Sequence, residues 1–319
     1  MRSALIVHSR HTKGHAKSVS KKYRDVDFLE VKRPPTEEIL KVKSSKDVVV
    51  GIGGGSVIDT AKIISGDKRC IATPTTASGA AMTPYAVVWG KRKVTVPTEM
   101  PILELVRGIS KELPPDVLRS TVFDALSHAI ESFWARGATS QSKGYSGGAL
   151  ALFNEYLNDK DMDTLISVGN LAGQAIAMAG TNVVHSTSYS ITIRYGVDHG
   201  TACGILLPFF VEYMDFEELP ELFNLGSTEK LTFFLKSLFP TPRIEIKDFD
   251  TDFIADKAME YDKINQGPRR VGRKSLIWIL EKLIDSAASN EGNISIKLKE
   301  LQVKAGNTIN RIGKEFICR

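Results

Sequence analysis

The chain has 319 residues, 42% of them hydrophobic and 25% charged, the balance of a soluble globular protein long enough for two packed domains. No apolar run reaches the roughly 20 residues that span a bilayer, and Ala4–Val7 is too short for a signal-peptide core, which excludes a membrane protein and reads better as a buried strand. A net charge of +5 with no long basic run excludes the footprint of a nucleic-acid binder, and leaves a mildly basic surface or an anionic cofactor or substrate as its cause.

After the Ala4–Val7 strand, the polar segment Thr12–Tyr23 reads as a helix and Asp27–Val31 as a second strand. Pro34, Pro35, Thr36, Glu37 and Glu38 open a further helix, because prolines and acids are tolerated at a helix start. Asp47–Ile52 is a valine-rich strand, Val57–Ile64 a helix and Cys70–Ala72 a strand. Strands alternating with helices imply a parallel sheet with right-handed crossovers. From about Glu112 helical periodicity takes over. Pro114, Pro115 and Asp116 start a helix whose apolar stripe is Val117, Leu118, Val122, Leu126, Ile130 and Phe133. Leu165–Gly180 is rich in Ala and Gly, as close helix packing requires. The expected fold class is an α/β N-terminal Rossmann-like parallel-sheet domain, residues 1–103, followed by an all-helical C-terminal domain, residues 104–319. A polar stretch, Ser286–Asn293, sets off a tail.

Two loops follow strands. Gly53, Gly54, Gly55 and Ser56 join a strand to a helix, so bare backbone and free helix N–H groups can receive a pyrophosphate. The string is neither the dinucleotide GxGxxG fingerprint nor a Walker loop, and a plain structural turn remains the other reading. Thr73–Gly79 follows the next strand and brings hydroxyls to the same sheet edge, where parallel-sheet ligands bind. Asp124 and His128 stand four apart on one helix face, a spacing that suits a shared cation or a solvated surface pair. His185 and His199 lie among apolar and small residues. One Asp and three His would suit Fe(II) or Zn(II). Asp198 could support His199 from behind. Three scattered cysteines, Cys70, Cys203 and Cys318, make no CxxC pair. A disulfide framework or cysteine–zinc site is not expected, Cys203 reads as packing, and a reducing cytoplasm is the expected compartment.

GGGSVIDTAK (Gly53–Lys62), PTTASG (Pro74–Gly79), DALSHAIES (Asp124–Ser132), and His185 and His199 followed by GTACGILLP, resemble the iron-containing alcohol dehydrogenases, in that order. Asn265–Arg269 is similar to a loosened form of that family's Asn-Pro-Arg segment. The resemblance runs over roughly residues 45–280. It implies hydride transfer between an alcohol or carbonyl and NAD(P), with a small-molecule substrate and a homo-oligomer, a dimer, as the form. Asp124, His128, His185 and His199 become metal ligands for Fe2+ or Zn2+. Gly53, Gly54, Gly55, Ser56 and Asp59, with Thr75, Thr76 and Ser78, become the cofactor site.

The chain departs from the family in starting almost directly at the first nucleotide strand, in Ala77–Met82, and in Tyr189, where an active-site His is usual. Tyr189 is assigned a proton-relay or pocket-shaping role. Ser9 stands where the family often places an Asp for NAD, and Arg10 and Lys13 are near, which predicts a lean toward NADP(H). Arg194, Arg269, Arg270 and Arg273 fit an anionic substrate group or a solvated surface. Two other readings stand beside this one: a metal- and NAD-dependent cyclase of the dehydroquinate synthase type, and a non-catalytic member of the family.

Overall fold

The computed structural model describes residues 2–110, 113–238 and 249–288. Its N-terminal part is a five-stranded sheet of order β2-β1-β3-β4-β7, formed by β1 (Ser3–His8), β2 (Asp25–Glu30), β3 (Val48–Gly53), β4 (Arg69–Pro74) and β7 (Ile102–Leu103), all parallel. Alternate side chains serve opposite faces. Ile6, Val48, Val50 and Ile52 pack on Ala16 of α1 (Lys13–Ser20), while Val7 and Val49 pack on Val57 and Ala61 of α2 (Gly55–Ser65). With both faces covered, β3 is buried along its whole length, which is why its sequence is a continuous apolar run. The chain leaves β1 for one side of the sheet and β3 for the other. The crevice beyond their carboxyl ends is therefore the topological switch point where such sheets bind ligands.

Two details differ from the sequence reading. The proline-led segment forms only a 3-10 turn, Glu37–Lys41, in which no residue is fully buried and Ile39 alone packs against the core, too little apolar contact to hold a longer helix. An antiparallel hairpin not anticipated from the sequence, β5 (Tyr85–Trp89) and β6 (Lys93–Pro97), stands beside the sheet and reaches toward the helices.

The remaining elements are helical: α3 (Pro115–Phe133), α4 (Ser140–Asp159), α5 (Met162–Ala179), α6 (Val183–Tyr195), α7 (His199–Met214), α8 (Glu218–Leu222), α9 (Thr228–Leu238), α10 (Thr251–Met259) and α11 (Arg273–Ala288). One apolar core joins them. The expected stripe on α3 is buried at Val122, Leu126, Ile130 and Phe133, but Val117 is exposed at the mouth of the interdomain cleft. The small residues of α5 have a specific use. A Cβ on Gly169 would lie 2.3 Å from the Ala77 carbonyl oxygen, and one on Gly173 would lie 2.5 Å from that of Gly79. Bare backbone at these two positions lets the Pro74–Gly79 loop lie directly on α5, tying the sheet layer to the helices. Among the described residues no helix is long and apolar enough to cross a membrane. Cys318, and all but the start of the expected Ser286–Asn293 break and tail, lie outside the described residues.

Candidate active site

Three helices bring the predicted acid and histidines to one point. Asp124 and His128 are a turn apart on α3, His185 is in the first turn of α6, and His199 opens α7. Local interactions fix each start. Asn182 caps α6 by accepting from Val183 N–H at 3.0 Å; it also accepts from Trp134 Nε1 at 3.0 Å and donates to the Glu131 carbonyl at 2.9 Å, which sets α6 against the end of α3. Asp198 caps α7 and takes a hydrogen bond from Ser120 of α3. It therefore anchors the helix and does not support the His199 ring, as the sequence allowed. Gly200 makes the close crossing possible, since a Cβ there would meet the Ser120 carbonyl oxygen at 2.0 Å.

The result is a compact donor set. Asp124 Oδ1 lies 3.5 Å from His128 Nε2, 3.5 Å from His185 Nε2 and 3.7 Å from His199 Nε2. Asp124 Oδ1 and His185 Nε2 are buried without any hydrogen-bond partner. Buried polar atoms are rarely left so, and four convergent O and N donors are the chemistry of an Fe(II) or Zn(II) site, so these residues fit a divalent cation. Cys203 Sγ lies 3.9 Å from His199 Nε2 and shares a 4.8 Å cluster with donor atoms of Asp124, His185 and His199. Burial pushes its thiol well up, yet Cys203 stands with Asp124, His185 and His199 in a donor cluster that does not include His128, a place in the site that packing alone does not describe.

The electrostatics suit ligation at two of the three rings, and at His185 they favour the proton that a cation would displace from Nε2. Burial, reinforced by His185, pushes His128 down to about 4, and burial pushes His199 down to about 3, so both rings are neutral. Burial opposes ionisation of Asp124, but the three surrounding histidines overcome it and hold the carboxyl below its usual range. His185 behaves differently. Burial disfavours its charge, yet Glu131 and Asp124 outweigh that and raise it to about 9. Glu131, fully buried, accepts from His185 Nδ1 at 2.5 Å and from Val184 N–H at 2.6 Å. The sequence reading did not single it out. Its signal was present, since Asp124, His128 and Glu131 follow one another at helical spacing along one side of α3.

Above this floor runs a cleft of about 960 Å³ between the sheet and the helices. Of the residues expected at the cofactor, Ser9, Gly54, Gly55, Ser56, Asp59, Thr75, Thr76 and Ser78 line it. Gly53 does not. It is buried at the end of β3, where a Cβ would strike Val57 at 2.7 Å, so it serves packing. Asp59 reaches the cleft, but its carboxylate pairs with Lys62 Nζ at 3.0 Å and accepts from Val87 N–H at 3.1 Å. Lys62, unremarked in the sequence reading except within its motif, is buried and also donates to the Ala80 carbonyl at 2.8 Å, pinning α2 to the loop after β4. The α2 N-terminus has no side-chain cap, and Ser78 Oγ is buried without a partner. Cβ atoms on Gly54 and Gly55 would close to 3.2 Å on Thr76 and Ser78, so a phosphate meets bare backbone there, and this edge fits a dinucleotide pyrophosphate.

Tyr189 is buried and stacks on His199 with ring centroids 5.4 Å apart. Burial pushes its phenol well above the ordinary value, which suits a wall of the pocket better than a proton relay. Trp89 of the hairpin adds a second wall, 5.5 Å from His199 and 6.1 Å from Tyr189. The four arginines for which the sequence left a substrate role or a solvated surface lie off the cleft. Arg194 pairs with Asp250 at 3.2 Å, Arg269 donates to the Tyr213 carbonyl at 2.7 Å, and Arg273 pairs with Asp252 and Asp256. None of them, nor Arg270, lines the cleft, and the surface reading holds for all four.

Two family models match the chain. One described as iron-containing alcohol dehydrogenase covers residues 1–106, and the C-terminal model of the Fe-containing alcohol dehydrogenase family covers residues 119–226. Phosphonoacetaldehyde reductase of Streptomyces viridochromogenes is 28% identical over 302 residues, covering 72% of this chain and 74% of that protein. NAD-dependent methanol dehydrogenase of Bacillus methanolicus is 32% identical over 197 residues, covering 51% of this chain and 52% of that one, so this chain spans about half the length of that relative. The structure of sulfoacetaldehyde reductase from Bifidobacterium kashiwanohense in complex with NAD+ superposes with a TM-score of 0.79 at 19% identity, covering 90% of this chain and 92% of that one. At that identity the superposition speaks for the fold.

Proposed function

Because this chain belongs to the iron-containing alcohol dehydrogenase family, and is thereby a metal-dependent, NAD(P)-linked oxidoreductase of alcohols and aldehydes, we propose that it exchanges a hydride with a short polar or anionic aldehyde–alcohol pair on the floor of the interdomain cleft. The observation that carries this reading is the convergence of Asp124 with three histidine Nε2 atoms, 3.5 to 3.7 Å away, beneath the switch point of the parallel sheet.

Asp124, His128, His185 and His199 hold the cation, Fe2+ or alternatively Zn2+. Glu131 keeps the proton of His185 on Nδ1, so that Nε2 faces the site as a donor. Gly54, Gly55 and Ser56, with Thr75, Thr76 and Ser78, receive the pyrophosphate of the nicotinamide cofactor. When bound, the cation supplies a Lewis acid for the substrate oxygen, and the cofactor supplies or takes the hydride. Trp89 and Tyr189 wall the reacting volume against water. Ser9 at the end of β1, with Lys32 and Arg33 after β2 on the same cleft wall, supports a preference for NADP(H), since among the described residues no carboxylate lines that wall to repel a 2′-phosphate. The name of the Streptomyces relative supports a substrate with an anionic end. A cytoplasmic homo-oligomer, a dimer, completes the reading.

The test is elemental analysis of anaerobically purified protein beside its His199→Ala variant, followed by screening of short aldehydes with NADPH and NADH. About one Fe or Zn per chain, lost in the variant, and stoichiometric cofactor oxidation read at about 340 nm are expected. Absence of metal in both after reconstitution would sink the ligand assignment. Cofactor returned unchanged would point to a cyclase instead.

A further inference from the structure

Resting on the reading of this cleft as an aldehyde site, we propose that Lys93 is its anion-recognising residue, holding a phosphonate, sulfonate or carboxylate at the far end of a short aldehyde. Lys93 opens β6 and lines the cleft. Its Nζ sits 4.7 Å from the centroid of the Tyr189 ring, and that ring stacks at 5.4 Å on the ligand His199. The ammonium and the donor atoms thus border the same Tyr189 ring in one cleft, where a short carbon chain can place its carbonyl at the donors and its charge at the lysine.

The charge balance points the same way. Among the described residues no carboxylate lies within salt-bridge distance of Lys93. Its ammonium donates to the Thr95 hydroxyl at 2.9 Å. The two acids whose fields reach it are engaged. Asp59 is held by Lys62 and by Val87 N–H, and Asp124 by the three histidines, while Lys263 adds repulsion. A half-buried ammonium without a counter-ion is unfavourable unless a ligand provides one. The four arginines that might have done this work are bound elsewhere or stand off the cleft. Tyr189 also gains a reason. A tyrosine presents a π face on which an ammonium can rest.

Two sources could supply an anion in this cleft, the substrate's head group and the cofactor's phosphates, and the test separates them. Metal-loaded wild type, Lys93→Gln and Lys93→Arg are compared in kcat/KM for phosphonoacetaldehyde and for propionaldehyde, with KM for NADPH measured alongside. The ratio of the two aldehydes' kcat/KM is expected to fall about tenfold or more in Lys93→Gln and to recover in Lys93→Arg. An unchanged ratio overturns the proposal, as does a loss that appears as a raised KM for NADPH. Calorimetric titration of the same proteins with ethylphosphonate gives a readout without turnover. Phosphonate binding weakened in Lys93→Gln upholds the anion site even if neither aldehyde is reduced, the outcome that would sink the hydride-transfer reading alone. Equal binding in all three proteins overturns the anion site even if both aldehydes are reduced.

Discussion

The two walls of the cleft are built on different principles. On the sheet side, the loops after β1, β3 and β4 present mostly backbone and small hydroxyls, and each is contiguous in sequence. On the helical side, three histidine side chains lie within 3.7 Å of Asp124 Oδ1, the four residues coming from three helices. A backbone site is a consequence of topology, because parallel strands line up their carboxyl ends and a helix start exposes its N–H groups. A side-chain site exists only if the helices cross at the right distance, which here depends on Gly200, Asn182 and Asp198. The helical wall should therefore be sensitive to residues that never touch the cation, and the sheet wall tolerant of all but charge and bulk.

Glu131 offers the sharpest probe of that contrast. Glu131→Ala strands the Nδ1–H of His185 and the N–H of Val184, and should weaken metal affinity by about 10- to 100-fold in a competitive chelator titration. Glu131→Gln keeps an acceptor and should lose less. Equal affinities in all three proteins would mean that the helices, and not this carboxylate, set the His185 ring. A smaller effect is expected on the other wall. Ser9→Asp should lower the NADPH-to-NADH ratio of kcat/KM by about tenfold, because a carboxylate accepts from a ribose hydroxyl and repels a phosphate. A ratio that stays put would move cofactor choice to Lys32 and Arg33.

The smallest effect concerns pH and the hairpin that bridges the two walls. Burial, with Lys263 adding to it and Asp59, Asp124 and Cys203 opposing it, pushes Lys93 down to about 8; Tyr189, Tyr261 and Thr95 also border it. Its charge is present below that value and lost above it. The preference for an anionic over a neutral aldehyde, read as a ratio of kcat/KM so that ionisations common to both cancel, should fall several-fold between about pH 7 and pH 9. A flat ratio over that range would separate Lys93 from the substrate's charge.

Much of this molecule was legible in its residues. The valine-rich strand, the triple glycine and the helix after it are local, so the sheet, its crossovers and the phosphate edge follow from periodicity and turn chemistry. The residues that converge on the cleft floor were legible for a related reason, since Asp124 and His128 share a helix face and the strings around them resemble a known family. Other assignments needed contacts that no spacing encodes. Gly53 sits in the same glycine run as Gly54 but packs against Val57 instead of lining the cleft, and Asp59 is claimed by Lys62. The arginines could be read as an anion site or a solvated surface, and only the fold shows Arg194, Arg269 and Arg273 pairing with acids or a carbonyl away from the cleft. Lys93 gave no local sign of its place, because what matters is the Tyr189 ring beneath it and the lack of a carboxylate beside it. The sequence by itself determined the strand and helix faces, the two-layer class and the chemical kinds of donor. The tertiary structure alone decided which donors meet, which charges are already paired and which one is left for a ligand, because burial and electrostatics depend on distances through space, and residues remote in the chain set those distances.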